Sequence, residues 1–176
     1  MAEKKAVFVI AHEGFQSVEY SVPKTLLEQS GIMITTASNK TMPATAHDGS
    51  TVDVDIDIKN IDINQYNALI FIGGPGALEH LNNQDSYDLI KKAIEAKKLV
   101  GAICIAPRIL AKAGILDNKR ATGWNGDNEL GPFYKEHNVH YKNEDVVIDG
   151  LIVTAIGPNA SREFAEQIIS LLEETP

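Results

Sequence analysis

The chain has 176 residues, about one domain, and its hydrophobic (44%) and charged (23%) shares are those of a soluble globular protein and not of a disordered one. A formal net charge of −8 with no basic run speaks against a nucleic-acid partner. Cys104 is the one cysteine, so no intramolecular disulfide forms, and no apolar run is long enough to cross a bilayer. The N-terminus reads directly into a strand without a signal-peptide pattern, so a cytoplasmic protein of one domain over residues 1–176 is expected.

Short β-branched runs alternate with longer amphipathic stretches. Ala6 to Ile10 is apolar on both faces, as in the middle of a parallel sheet. Ser17 to Ser30 follows as a helix that Gly31 ends, with Pro23 marking either a kink or the true helix start. Ile32 to Thr36 is the next strand. From Ala44 to Ile58, Val52, Val54, Ile56 and Ile58 alternate with Asp53, Asp55 and Asp57, which predicts a half-exposed strand or edge hairpin; the aspartates lack the turn glycine and closing glutamate of a calcium loop. Ala68 to Ile72 is a buried strand running into Gly73-Gly74-Pro75-Gly76. A helix is expected over Asp85 to Lys97, a strand over Leu99 to Ile103, and a helix from Pro107 to Ala113 closed by Gly114. Asp127, Asn128 and Glu129 open a further helix to Lys135. Val146 to Ala155 is a hairpin turning on Asp149-Gly150, and Ser161 to Glu173 is the last helix. The alternation predicts a three-layer α/β sandwich, flavodoxin-like, with a largely parallel central sheet and helices on both faces. Ligands of such sheets sit beyond the carboxyl ends of the strands.

Cys104 stands directly between a buried strand and a helix start, the position of a nucleophile elbow, with Ala102 and Ala106 where the common pattern has glycines. Backbone N–H groups at a helix start favour a thiolate, and Pro107 suits that first turn; the competing reading is a small buried hydrophobe. Gly73 and Gly74 follow a strand at the same sheet edge. They would bring N–H donors near Cys104 as part of an oxyanion site, or serve simply as a tight turn. Glu19 follows the first strand; it is either a proton partner for the thiol or a first-turn glutamate favouring the helix dipole.

Together these segments resemble the DJ/PfpI superfamily, which shares its fold with class I glutamine amidotransferases. The resemblance rests on Gly14 to Gly31 with Glu19, Phe71 to Ala77 with its glycines, Ala102-Ile103-Cys104-Ile105-Ala106-Pro107, and Gly150 to Phe164. It implies Cys104 as nucleophile or oxidation-sensitive thiol, Glu19 as the acid that contacts it, and N–H groups of Gly74 and Ile105 as oxyanion donors. The chain departs from the family at its histidines. Ile105 stands directly after the cysteine where one branch has His, and Trp124 lies near the place where another branch brings one. Trp124 is then a pocket wall, since indole only donates. His12, at the end of the first strand, is either a pocket residue near Cys104 or an exposed loop residue, and His47, His80, His137 and His140 are expected on the surface. No cofactor is expected and no residue group has zinc spacing.

The resemblance implies an enzyme acting on small reactive carbonyls, of glyoxalase or deglycase type, through Cys104 and Glu19. The alternative is a non-enzymatic redox or stress sensor, or chaperone, in which Cys104 is oxidised. An amidase or protease lacks a placed base. The expected partners are a small carbonyl substrate or an oxidant and further copies of the chain in a homodimer or higher homo-oligomer. The helix start and N–H donors predict a Cys104 pKa below the free-thiol value of about 8.5, facing a largely protonated Glu19.

Overall fold

The structure, a computed structural model, describes residues 2–176. In chain order its first half comprises β1 (Lys5–Ile10), β2 (Glu13–Phe15), α1 (Ser17–Gln29), β3 (Met33–Ser38), β4 (Ala44–Ala46), β5 (Thr51–Val52), β6 (Ile56–Asp57), β7 (Ala68–Phe71) and α2 (Ala77–His80). The second half comprises α3 (Gln84–Glu95), β8 (Leu99–Ile103), α4 (Pro107–Lys112), β9 (Arg120–Ala121), α5 (Leu130–Glu136), β10 (His140–Tyr141), β11 (Val146–Asp149), β12 (Ile152–Ala155) and α6 (Ser161–Glu174).

Seven strands form the central sheet in the order β11-β12-β8-β7-β1-β3-β6. All neighbours run parallel except the edge hairpin β11–β12, which turns at Gly150 with a positive φ of 60°. The interior strands are continuously apolar because both faces are covered. Val7 and Val9 face the layer of α3, α4 and α5, where Ile90, Ile109 and Tyr134 are buried. Ala6, Phe8 and Ile10 face α1 and α6, meeting Leu27, Phe164 and Ile168. Each large side chain so buried contributes about 1.5–3 kcal/mol. Gly101 in β8 admits the close approach of α6: a Cβ there would stand 2.8 Å from Ile70 Cδ1 and 3.1 Å from Phe164 Cζ.

The chain leaves β1 toward β3 on one side and returns to β7 on the other, so the topological switch lies beside β1. The carboxyl ends of β1, β7 and β8 therefore open onto one crevice.

Helix α1 starts at Ser17 as expected and runs through Pro23, so Pro23 is not the helix start; the Gln16 side chain sets the start by accepting hydrogen bonds from Val18 N (2.7 Å) and Glu19 N (3.0 Å). Over Ala44 to Ile58 the chain forms β4, β5 and β6 and not one strand: β4 and β5 pair antiparallel, the hairpin alternative, and join β2 in a small separate sheet, while β6 edges the main one. Aspartate side chains stop the extended run: Asp57 accepts from Lys59 N and Asp62 from Asn64 N, each starting a short 3-10 turn. The alternation itself is kept, with Asp53 and Asp55 exposed between half-buried Val52, Val54 and Ile56.

Candidate active site

Cys104 follows β8 directly and holds a left-handed backbone with φ of 65°. A non-glycine residue there is strained. The strain is held by two main-chain bonds: Cys104 N donates to Ala155 O (2.9 Å), and Trp124 N donates to Cys104 O (2.7 Å). Ala106 and Pro107 then open α4, with Pro107 in its first turn. Cys104 is half-buried.

Glu19 reaches the thiol from α1 and has no solvent exposure. Its Oε1 accepts a hydrogen bond from Gly73 N at 3.0 Å. Oε2 is buried without an N–H or O–H donor, and the side chain that bears on the carboxyl group is the Cys104 thiol.

The glycine turn is a requirement of this geometry. A Cβ at Gly73 would lie 2.7 Å from each of Cys104 Cβ, Glu19 Oε1 and Ile103 O. At Gly74, with φ of +109°, it would lie 2.5 Å from Gln16 N and Gly14 O. The turn is laced to the β1–α1 connection by Gln16 N to Gly73 O (3.0 Å) and Gly76 N to Gly14 O (2.9 Å). The glycines thus bring acid and thiol together across three strand ends.

Burial, the largest cause, pushes the Glu19 carboxyl up to about 7, against the lowering contacts of the Cys104 thiol and Gly73 N–H. The thiol departs from its expected direction. Burial first, then the charge of Glu19, pushes Cys104 up to about 12, and the N–H groups of Gly74 and Ile105 only partly offset this. The elbow that presents the thiol to N–H donors also buries it against a carboxylate, and the second effect wins. The two groups share a site that cannot hold two negative charges at neutral pH.

Cys104, Glu19, Gly73, Gly74 and Ile105 are therefore brought together. The remaining pocket candidates play other parts. Trp124 contacts Cys104 through its main-chain N–H; its ring is exposed and lies against Gly126, whose Cβ would come within 2.5 Å of the indole. His12 is buried, so it is no exposed loop residue, and its ring neighbours are Asn39 and His80 in place of the thiol. His80 is half-buried, not a surface residue, with its ring 4.4 Å from that of His12.

His12, Glu13 and His80 bring ligand-type atoms within 4.8 Å of one another, a grouping that sequence spacing did not reveal. Asn39 argues against a cation there. Its Oδ1 accepts from His12 N (3.0 Å), so its Nδ2 donates to His12 Nδ1 (2.8 Å). The His12 proton then sits on Nε2, the nitrogen nearest Glu13. A metal-ligating histidine usually donates its second N–H instead. Sequence reading also passed over Arg108, whose guanidinium binds Asp127 and the Trp124 carbonyl across the elbow helix. Among the described residues no helix is long and apolar enough to cross a membrane.

A largely parallel α/β sheet with a cysteine elbow, a buried acid and a glycine turn at its switch point defines the class. Within it, the chain belongs to the DJ-1/PfpI family, whose model matches residues 4–171. It is similar to a glutathione-independent glyoxalase of Caenorhabditis elegans, 26% identical over 98% of this chain and 90% of that protein. It is also similar to a deglycase of Pyrococcus abyssi, 27% identical over 95% of this chain and 99% of that one. The crystal structure of a ThiJ/PfpI domain protein from Brachyspira murdochii superimposes with a TM-score of 0.93 at 26% identity, covering 99% of this chain and 100% of that one.

Proposed function

We propose that the protein is a cysteine-dependent enzyme acting on small reactive aldehydes such as methylglyoxal, with Cys104 as nucleophile and Glu19 as its proton partner. The observation that carries this reading is the fully buried Glu19 carboxyl, whose Oε2 meets no N–H or O–H donor and which bears on the thiol of the strained Cys104. In the molecules whose Glu19 is ionised near neutral pH, the thiol proton passes to Oε2 as Sγ adds to the aldehyde carbon, and Oε2 then hands that same proton to the former carbonyl oxygen to complete a hemithioacetal. The N–H groups of Gly74 and Ile105, which face the sulfur, would steady the oxygen as charge builds on it. A carboxyl group pushed up to about 7 suits a proton carrier working near neutral pH. The similarity to a glyoxalase and a deglycase supports the carbonyl class.

A redox or stress sensor is the second reading, favoured by a thiol that is not fully buried and by the lack of a histidine among the groups that bear on it. Methylglyoxal consumption by wild type, Cys104→Ala and Glu19→Gln separates the two. Consumption that disappears in both variants supports the enzyme. A wild-type thiol that oxidises with peroxide yet consumes no methylglyoxal points to the sensor and overturns the enzyme reading.

A further inference from the structure

The loop after β9 crosses the elbow from outside. Thr122 N donates to Thr154 Oγ1 (2.9 Å), and Tyr134 Oη donates to Thr122 O (2.7 Å), which fixes the start of the loop to β12 and α5. Leu130 N donates to Asn125 Oδ1 at 3.0 Å, which fixes its far side. Between these anchors the loop is pressed on the elbow: a Cβ at Gly123 would stand 3.2 Å from Cys104 O and 3.4 Å from Pro107 Cγ. Trp124 N donates to that same Cys104 carbonyl at 2.7 Å.

Arg108 closes the arrangement from inside α4. Its side chain is 10% exposed. Nη2 donates to Trp124 O at 3.2 Å and to Asp127 Oδ1 at 2.9 Å. The guanidinium carbon lies 5.9 Å from the ring centres of both Trp124 and Phe133. Nε is buried without a partner. A residue placed for packing alone would not carry that cost; the two acceptors of Nη2, both in the loop, account for the arginine. Its charge registers on Asp127 and Tyr134, whereas the groups that bear on the thiol are Glu19, Gly74 and Ile105. Arg108 therefore acts on Cys104 through the loop.

We propose that Arg108 is a positioning residue for Cys104: by holding Asp127 and the Trp124 carbonyl, it fixes the 123–127 loop so that Trp124 N–H clamps the Cys104 carbonyl and keeps the strained elbow aimed at Glu19. The loop contributes a main-chain tether to the site and no side-chain proton carrier. The inference deepens the enzyme reading and rests on it only for what the thiol is used for.

The test is the rate of Cys104 alkylation by iodoacetamide as a function of pH, in folded wild type, Arg108→Ala, Arg108→Lys and Gly123→Ala. Arg108→Ala is expected to slow alkylation roughly tenfold at neutral pH, the loss of about one hydrogen bond at a charged site, and to displace the pH profile. Arg108→Lys can still donate to the Trp124 carbonyl and is expected to recover part of the rate. Gly123→Ala keeps the Arg108–Asp127 pair but sets a Cβ 3.2 Å from Cys104 O, which forces loop and carbonyl apart slightly, and it should reproduce part of the Arg108→Ala effect. If Arg108→Ala fails to fold, the other two variants carry the comparison. Profiles of Gly123→Ala and the folded Arg108 variants that superimpose on wild type overturn the proposal. Failure of the wild type to consume methylglyoxal would instead sink the carbonyl reading, and the alkylation comparison would stand.

Discussion

Two clusters of ionisable side chains lie at the same sheet edge and are built on opposite principles. At Cys104 the backbone is strained, an acid is buried with one oxygen unpartnered, and a glycine turn leaves no room for a single added carbon. At His12 the ring packs edge-to-face on His80, and Asn39 satisfies both its main-chain N–H and its Nδ1. The first cluster violates local rules that the second obeys. Strain and an unpaired buried acceptor persist where the surrounding structure over-determines them, and such places are where chemistry is expected. In the His12 cluster the backbone is unstrained and the buried Nδ1 of His12 has its donor.

The largest expected effect comes from removing the sulfur. Cys104→Ala should bring methylglyoxal consumption to background while near-ultraviolet circular dichroism stays native; residual consumption at the wild-type rate would move the chemistry away from the elbow. Next is Gly73→Ala, whose Cβ would meet Cys104 Cβ, Glu19 Oε1 and Ile103 O at 2.7 Å. A loss of about 3 kcal/mol in urea unfolding is expected. A stable variant would show that acid and thiol can part without penalty.

Glu19→Gln sharpens the comparison through pH. In the folded protein Glu19 keeps its proton up to about 7, whereas the unfolded chain releases it near 4.5. The stabilising contribution of the folded group is thus fully present below about 4.5 and is lost as pH rises through about 7. Wild-type stability should fall across that window by up to about 3 kcal/mol from this group, and Glu19→Gln should lack the slope. Parallel stability curves for the two proteins would show an ordinary carboxylate. The smallest effect belongs to the other cluster. Asn39→Ala should cost about 1–2 kcal/mol and leave the Cys104 alkylation rate within about twofold of wild type. An effect as large as that of Arg108→Ala would break the distinction between the two clusters.

Much of the Cys104 cluster is legible in the sequence because its parts obey short-range rules. An apolar strand followed at once by Cys104 and Pro107 specifies the elbow, and Gly73-Gly74 after another strand specifies a close approach. Glu19 falls at the same edge because it follows β1. The sign of the thiol shift was not legible, because it depends on how deeply Glu19 buries itself against Cys104, which no spacing conveys. The edge-to-face contact of His12 and His80 joins residues after the paired strands β1 and β7, far apart in sequence and without periodicity. The Arg108–Asp127 pair is hidden for the same reason, since its partners come from a helix and a loop that meet only through the fold. Over Ala44 to Ile58 the period-two pattern was read correctly as half-exposed. The Asp57 turn cap, a local hydrogen bond, then overrode extension.

The claim on which the account turns is that Glu19 is a proton-holding group beside Cys104 and not an ordinary surface-type glutamate. Infrared titration of the protonated carboxyl band in wild type and Glu19→Gln addresses it directly. The wild type should show a buried protonated carboxyl at about pH 6, well above the ordinary glutamate value of about 4.3. That band should decline as pH passes through about 7 and be missing from Glu19→Gln at every pH. A wild-type protein with no such band at about pH 6 would contradict the account, because Glu19 would then already be a carboxylate where the structure requires it to hold its proton.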